Sequence, residues 1–327
     1  MRVLVTGASG FLGRAVAAAV RDAGHEVRTF QRRPSGVPGV TDVLGSMTDP
    51  EAVRAAVGGA TAVEAVVHLA AKVSLAGDPA DFERVNVDGT RSLLAAARDA
   101  GVSRFVFVSS PSVAHTGSSI AGEGASPASP AGARGDYART KAAAELLALA
   151  ADAPDFAVVA VRPHLVWGPG DTQLVGRIVD RARRGRLPLL DSGAALIDSC
   201  YVDNAASAMV AALAHAADDG VHGNAYVVTN GEPRPVADLL DGICRASGVP
   251  TPRWHVPAGV ARAAGSLVEA VWRVRPGADE PPMTRFLAEQ LSTSHWFDQR
   301  RTRQDLQWEP SVSIDEGLRR LGRSNPA

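Results

Sequence analysis

Tyr137 and Lys141 stand four residues apart in "YARTK", in a chain of 327 residues with three tyrosines and only two lysines, Lys72 and Lys141. Placed at random, so few residues would give a Tyr-x-x-x-Lys pair about 0.02 times. On a helix the two side chains share a face, which puts the ammonium of Lys141 near the phenol of Tyr137. A neighbouring positive charge favours tyrosinate and is expected to draw the phenol down from its usual value of about 10. Such a phenol gives a proton to a carbonyl oxygen, or takes one from an alcohol. Arginine would keep the charge, but its rigid fork does not replace a compact ammonium with three rotatable donors. A hydroxyl to hold the substrate oxygen would complete the set, and "VFVSSPSV" supplies Ser109, Ser110 and Ser112 at the end of an expected strand. Taken alone, a serine at a strand end is more often a turn or cap residue, and it is the company of the tyrosine motif and a glycine turn that reverses the reading.

A second cluster opens the chain. "VLVTGASGFLG" puts Gly7, Gly10 and Gly13 between a first strand and a first helix, with Ser9, Phe11 and Leu12 among them. Gly7 permits the tight turn, Gly10 lets the backbone approach a diphosphate, and Gly13 allows the helix to pack closely on the strand. A dinucleotide is the expected ligand. The second strand, "HEVRTF", ends in Gln31 followed by Arg32 and Arg33, where a carboxylate would favour the free ribose hydroxyl of NAD. Two guanidiniums suit a 2′-phosphate instead, so NADP(H) is the preferred cofactor and NAD(H) the alternative.

These clusters need a scaffold. Apolar runs such as "RVLVTG", "EAVVHLAA", "RFVFVSS" and "FAVVAVRP" read as strands buried on both faces, and they alternate with alanine-rich helical segments. The pattern specifies an α/β fold, a Rossmann-type doubly wound parallel sheet with helices on both sides. Residues 1–165 form the expected NADP(H)-binding domain. Residues 166–327 form mainly a smaller substrate lobe of mixed α/β character, with later segments returning to the sheet. The stretch 116–136 reads as a long loop of small residues. Near the end, Val260, Leu267, Val268, Val271 and Trp272 form an apolar helical stripe, followed by Met283, Phe286 and Leu287. They line either a core or a pocket for a greasy substrate.

Composition removes several function classes. A formal net charge of −1 gives no global field for nucleic acid or anionic lipid. Cys200 and Cys244 lie far apart without metal-ligand spacing, and His68 and His164 lack companions at such spacing, so no metal is expected. No apolar run is long enough to span a membrane and no signal-peptide pattern is seen, so a cytoplasmic enzyme is expected.

In this order, "TGASGFLG", "HLAA", "VNVDGT", "VFVSS", "YARTK", "RPHLVWGPGD" and "YVDNAA" resemble the extended short-chain dehydrogenase/reductases, which belong with the NAD-dependent epimerases and dehydratases. The resemblance implies Ser110, Tyr137 and Lys141 as the catalytic triad, with Lys141 also holding the nicotinamide ribose. It places Ala70 and Ala71 along the adenosine and diphosphate, and Pro163 and Leu165 beside the nicotinamide. Ser46 stands where the family usually has an aspartate near adenine. "HLAAK", "RPHLVWGPGD" and "EPPMTRFLAEQLST" are most similar to the 3β-hydroxysteroid dehydrogenase branch. Within it they resemble bacterial sterol-dehydrogenase-like proteins and the 2-alkyl-3-oxoalkanoate reductases of olefin biosynthesis. The best expectation is a 2-alkyl-3-oxoalkanoate reductase. A sterol dehydrogenase, a nucleotide-sugar epimerase and a non-catalytic cofactor sensor are the alternatives. Substrate contacts are expected from Lys72, Pro111, Ser112 and His164, with the Lys72 ammonium on the carboxylate of a 3-oxo acid and a cofactor phosphate or open solvent as the alternatives. Asn86 reads as a cap or a buried hydrogen bond to the sheet. The resemblance also implies a homodimer, and such a reductase would work beside neighbouring pathway enzymes.

Overall fold

In the computed structural model, residues 1–59, 61–74, 77–115, 117–274 and 285–324 are described, with backbone alone at 269–274 and 285–287. Seven short strands form the central sheet. They are β1 (Arg2–Thr6), β2 (Glu26–Gln31), β3 (Thr41–Leu44), β4 (Ala65–His68), β5 (Arg104–Val108), β6 (Ala157–Pro163) and β7 (Ala225–Val228). All neighbours pair in parallel, in the order β7-β6-β5-β4-β1-β2-β3. Alternating residues face opposite layers: Val3 and Val5 of β1 join one apolar cluster, and Leu4 between them joins the other. All three are fully buried, each contributing roughly 1.5–3 kcal/mol.

Helices cover both faces. The first layer contains α1 (Phe11–Asp22), and the second contains α2 (Gly89–Asp99) and α3 (Gly135–Ala150). Helix α4 (Val202–His215) packs against α1, which completes the first layer. The strand order reverses between β1 and β4, so a crevice opens at the carboxyl edge there, the usual ligand site of such sheets.

Several expectations change in detail. Strand β3 was not expected, because "TDVL" is a mostly exposed edge strand without the apolar run that marks its neighbours. The 116–136 stretch is not loop throughout. Ile120–Glu123 forms a strand paired in parallel with His295–Phe297, in a smaller sheet with Leu196–Ile197 and Arg234–Pro235. Beyond residue 165, both α4 and β7 belong to the Rossmann layers. Helix α5 (Ala258–Val274) carries the expected apolar stripe, but Val260 and Leu267 are 58% and 67% exposed. Its buried positions are Ala258, Ala261 and Gly265, so those two larger residues are not part of the core. The side chains of Val271, Trp272, Phe286 and Leu287, and all of Met283, lie outside the described residues.

Candidate active site

The glycine turn is shaped by close approach. Gly7 has φ +75°, and a Cβ there would lie 2.8 Å from the amide nitrogen of Ala70. A Cβ at Gly13 would lie 2.2 Å from the carbonyl oxygen of Gly7, so only glycine lets α1 start this near the strand. Gly10, between them, is exposed beside half-buried Ser9, Phe11 and Leu12. No side chain caps α1, which leaves its first N–H groups for an anion.

A buried relay ties this turn to the loop after β4. Ala70 donates its N–H to Thr6 Oγ1 at 3.1 Å, and Thr6 Oγ1 lies 2.7 Å from His68 Nδ1. His68 Nε2 meets Thr90 Oγ1 at 2.9 Å, and Thr90 donates to the carbonyl of Asn86 at 2.6 Å. The donors run in one direction if His68 is neutral and protonated on Nε2. Burial agrees, pushing His68 down to about 3, with the Lys141 charge adding to the effect. Ala70 is thereby held against the glycine turn, which fits a dinucleotide lying across both.

Beyond β2 the charges also fit. Gln31 is buried and donates to Thr29 Oγ1 at 2.9 Å and Asp42 Oδ1 at 3.0 Å. Asp42 is already occupied on both oxygens, accepting from Thr29, Gln31 and the Ser35 N–H, so it is not offered to a ribose. Arg32 and Arg33 are exposed.

Helix α3 carries both Tyr137 and Lys141, and it brings Lys141 to the carboxyl edge of β5. Lys141 Nζ donates to the carbonyl of Val108 at 2.7 Å and rests 4.0 Å from the centre of the Phe107 ring. Ser110, two residues beyond Val108, caps a 3-10 turn over Pro111–Val113, and α3 packs against that turn. Ser110 Oγ accepts from Ser112 Oγ at 3.0 Å and from the Ser112 N–H at 3.3 Å, while Pro111 and Ser112 are themselves buried. The serine is thus a cap residue on the turn that faces α3.

The electrostatics correct one expectation. Burial pushes the Tyr137 phenol up to about 12, and the Lys141 charge does not draw it down. It is Lys141 that moves into the working range, pulled by burial down to about 7 against the upward effect of Glu145. Desolvation is what shifts the phenol, although Tyr137 as a whole residue is only half-buried.

The remaining expected residues are placed as follows. Lys72 Nζ is bound to Asp81 Oδ2 at 2.9 Å and lies 4.9 Å from the centre of the Phe82 ring, so its ammonium already has a carboxylate. Pro163 ends β6, and Leu165 just beyond it has φ +43°, a strained conformation for a side chain of that size. His164 between them donates from Nδ1 to the carbonyl of Asp198 at 2.8 Å, because a carbonyl can only accept. Its ring stacks on His295 at 5.9 Å, and His295 meets His115 at 4.6 Å. Ser46 Oγ lies 2.8 Å from Thr48 Oγ1.

For two buried groups the sequence reading was incomplete: it made Asn86 a cap or a bond to the sheet, and it passed over the other. Asn86 lies within a π-helical turn, Glu83–Asp88, rather than at a helix start. Its Oδ1 accepts from the Lys72 N–H at 2.7 Å, and its Nδ2 donates to Thr140 Oγ1 at 3.0 Å and to the Lys72 carbonyl at 3.3 Å. It thereby ties the loop after β4 to the catalytic helix, and its bonds go to that loop rather than to the sheet. The second group is the buried pair Glu145 and Arg162. A carboxylate four residues past Lys141 was the available sequence signal.

A doubly wound sheet with a glycine turn at its switch point and a Tyr-x-x-x-Lys helix beside it defines an NAD(P)-dependent oxidoreductase of the short-chain dehydrogenase/reductase class. The profile of the NAD dependent epimerase/dehydratase family matches residues 3–229, and the chain belongs to that family. Among its relatives, a 2-alkyl-3-oxoalkanoate reductase of Stenotrophomonas maltophilia is 42% identical over 100% of both chains. A 3 beta-hydroxysteroid dehydrogenase/Delta 5→4-isomerase of Mycobacterium tuberculosis is 32% identical, covering 97% of this chain and 88% of its own. Among solved structures, MoeE5 in complex with UDP-glucuronic acid and NAD superposes with a TM-score of 0.75 at 24% identity, covering 99% of this chain and 98% of its own. That likeness establishes the fold.

Proposed function

We propose that this protein reduces the ketone of a 2-alkyl-3-oxoalkanoate to a secondary alcohol with NADPH. The observation that carries the reading is the end-to-end 42% identity to a reductase of that name. Supporting it, Lys141 is hydrogen-bonded to the last residue of β5, Val108, and the Tyr137–Lys141 helix packs against the turn that Ser110 caps.

The glycine turn, Ala70 and Ala71 would hold the cofactor's diphosphate side. Pro163 and Leu165 would flank its nicotinamide, which supplies hydride when bound. Tyr137 keeps its proton at neutral pH and gives it to the carbonyl oxygen as negative charge develops there. The Ser110 hydroxyl donates to the same oxygen and fixes its position. Lys141, in its ammonium form, stabilises the tyrosinate left behind. Exposed Arg32 and Arg33, with no free carboxylate at the end of β2, favour NADPH over NADH. Because Asp81 holds Lys72, the substrate carboxylate must either displace that partner or be recognised elsewhere.

Steady-state rates with NADPH and a 2-alkyl-3-oxoalkanoic acid, compared with NADP+ and a 3β-hydroxysteroid, test this reading. Turnover of the acid is expected. Turnover of the steroid alone would move the assignment to the branch of the mycobacterial relative.

A further inference from the structure

Behind the catalytic pair lies a charge that the proposed reaction does not use. Tyr137, Lys141 and Glu145 follow at four-residue spacing on one face of α3. Glu145 is fully buried and Arg162 of β6 is 2% exposed. Glu145 Oε2 accepts from Arg162 Nε at 2.9 Å, Oε1 accepts from Nη2, and Nη1 donates to the carbonyl of Ser126 at 2.6 Å. The pair is bidentate and closed to water.

Burying two charges is costly, and an apolar pair of similar volume is often equally stable, so stability alone is a weak reason for this arrangement. The neighbouring charge on the same face is Lys141. Its own contacts are a carbonyl oxygen and an aromatic ring, neither carrying a full negative charge. Glu145 favours the charged form of Lys141, against the burial that disfavours it.

We propose that Glu145 is a positioning residue whose carboxylate, one helical turn past Lys141 and fixed by Arg162, supplies the counter-charge that keeps the Lys141 ammonium charged in its buried seat. The proposal rests on the reading of Tyr137 and Lys141 as the catalytic pair. Arg162 directly precedes Pro163, and its hold on Ser126 fastens the segment between the serine turn and α3 to the same anchor.

The two-lysine composition makes a direct test possible. With lysine labelled at Nζ by heavy nitrogen, the chain gives two side-chain signals, and Lys72→Arg leaves that of Lys141 alone. In Glu145→Gln, Lys141 is expected to lose its proton at a pH lower by about one unit or more. The alkaline limb of kcat/KM should move in the same direction. Glu145→Gln leaves Arg162 unpaired in the core, which risks misfolding and by itself disfavours the Lys141 ammonium. Glu145→Gln/Arg162→Met, which removes both charges, is therefore the deciding variant, and Lys141 is expected to lose its proton at a lower pH there too. A Lys141 titration unchanged from wild type in the variants that fold would overturn the proposal, as would a lowered Tm with no movement of the alkaline limb. Full activity in Tyr137→Phe would instead defeat the catalytic reading, and it leaves the titration result standing by itself.

Discussion

At the scale of single residues, the site works by burial as much as by charge. Tyr137 is held near 12 and Lys141 near 7, so at neutral pH the phenol carries its proton and the ammonium is close to its midpoint. Because kcat/KM reports the free enzyme, its value for NADPH is expected to fall as pH rises through about 7 and Lys141 loses its charge. A flat profile from pH 6 to 9 would contradict this. The two arginines after Gln31 give a second prediction. Replacing Arg32 and Arg33 by alanine should raise KM for NADPH by about 10-fold or more, since charge-assisted bonds are worth about 1.5–3 kcal/mol. KM for NADH should change less than twofold, and equal losses with both cofactors would remove the 2′-phosphate role.

At the scale of elements, the site depends on joints between segments far apart in sequence. Asn86 is 1% exposed and joins Lys72 and Thr140 by three side-chain hydrogen bonds, so Asn86→Ala should cost about 1–3 kcal/mol of stability in a denaturant titration. It should also weaken NADPH binding, because the Lys72 backbone and α3 lose their common anchor. Stability and affinity both equal to wild type would contradict the clamp. The legibility of these elements follows from what a local pattern can carry. Gly7, Gly13 and the tyrosine helix could be read because their spacing is itself the requirement. The π-helical turn could not, because "FERVNVDGT" has the periodicity of an ordinary helix and its widening serves a contact with Lys72. Strand Ile120–Glu123 was hidden because Ile120 is its one large apolar residue and it is stabilised by pairing with His295–Phe297, more than 170 positions away. The pull of Lys141 on Tyr137 was misjudged because spacing shows proximity on a helix but not the depth of burial.

At the scale of the whole molecule, the fold keeps several histidines neutral in its interior. Burial pushes His68 and His295 down to about 3 and His164 to about 4. These values lie below the unfolded value of 6.5, so as pH falls the unfolded chain takes up protons first. Stability is therefore complete above about pH 6.5 and declines below it, each histidine adding a slope of up to about 1.4 kcal/mol per pH unit. Asp198 opposes one of them. Burial raises it to about 6, so its contribution grows as pH falls through that value. A Tm that drops steadily from pH 6.5 to 4.5 is expected, and a Tm constant over that range would show that these groups titrate freely.

The most direct test of the central claim is a comparison of NADPH oxidation by the wild type and by Tyr137→Phe, with a 2-alkyl-3-oxoalkanoic acid as substrate and cofactor affinity measured in parallel. Turnover by the wild type, a kcat lowered by about 10²–10⁴ in the variant and an NADPH Kd changed less than twofold are the predicted results. A variant that turns over the acid at the wild-type rate would contradict the assignment of Tyr137 as proton donor.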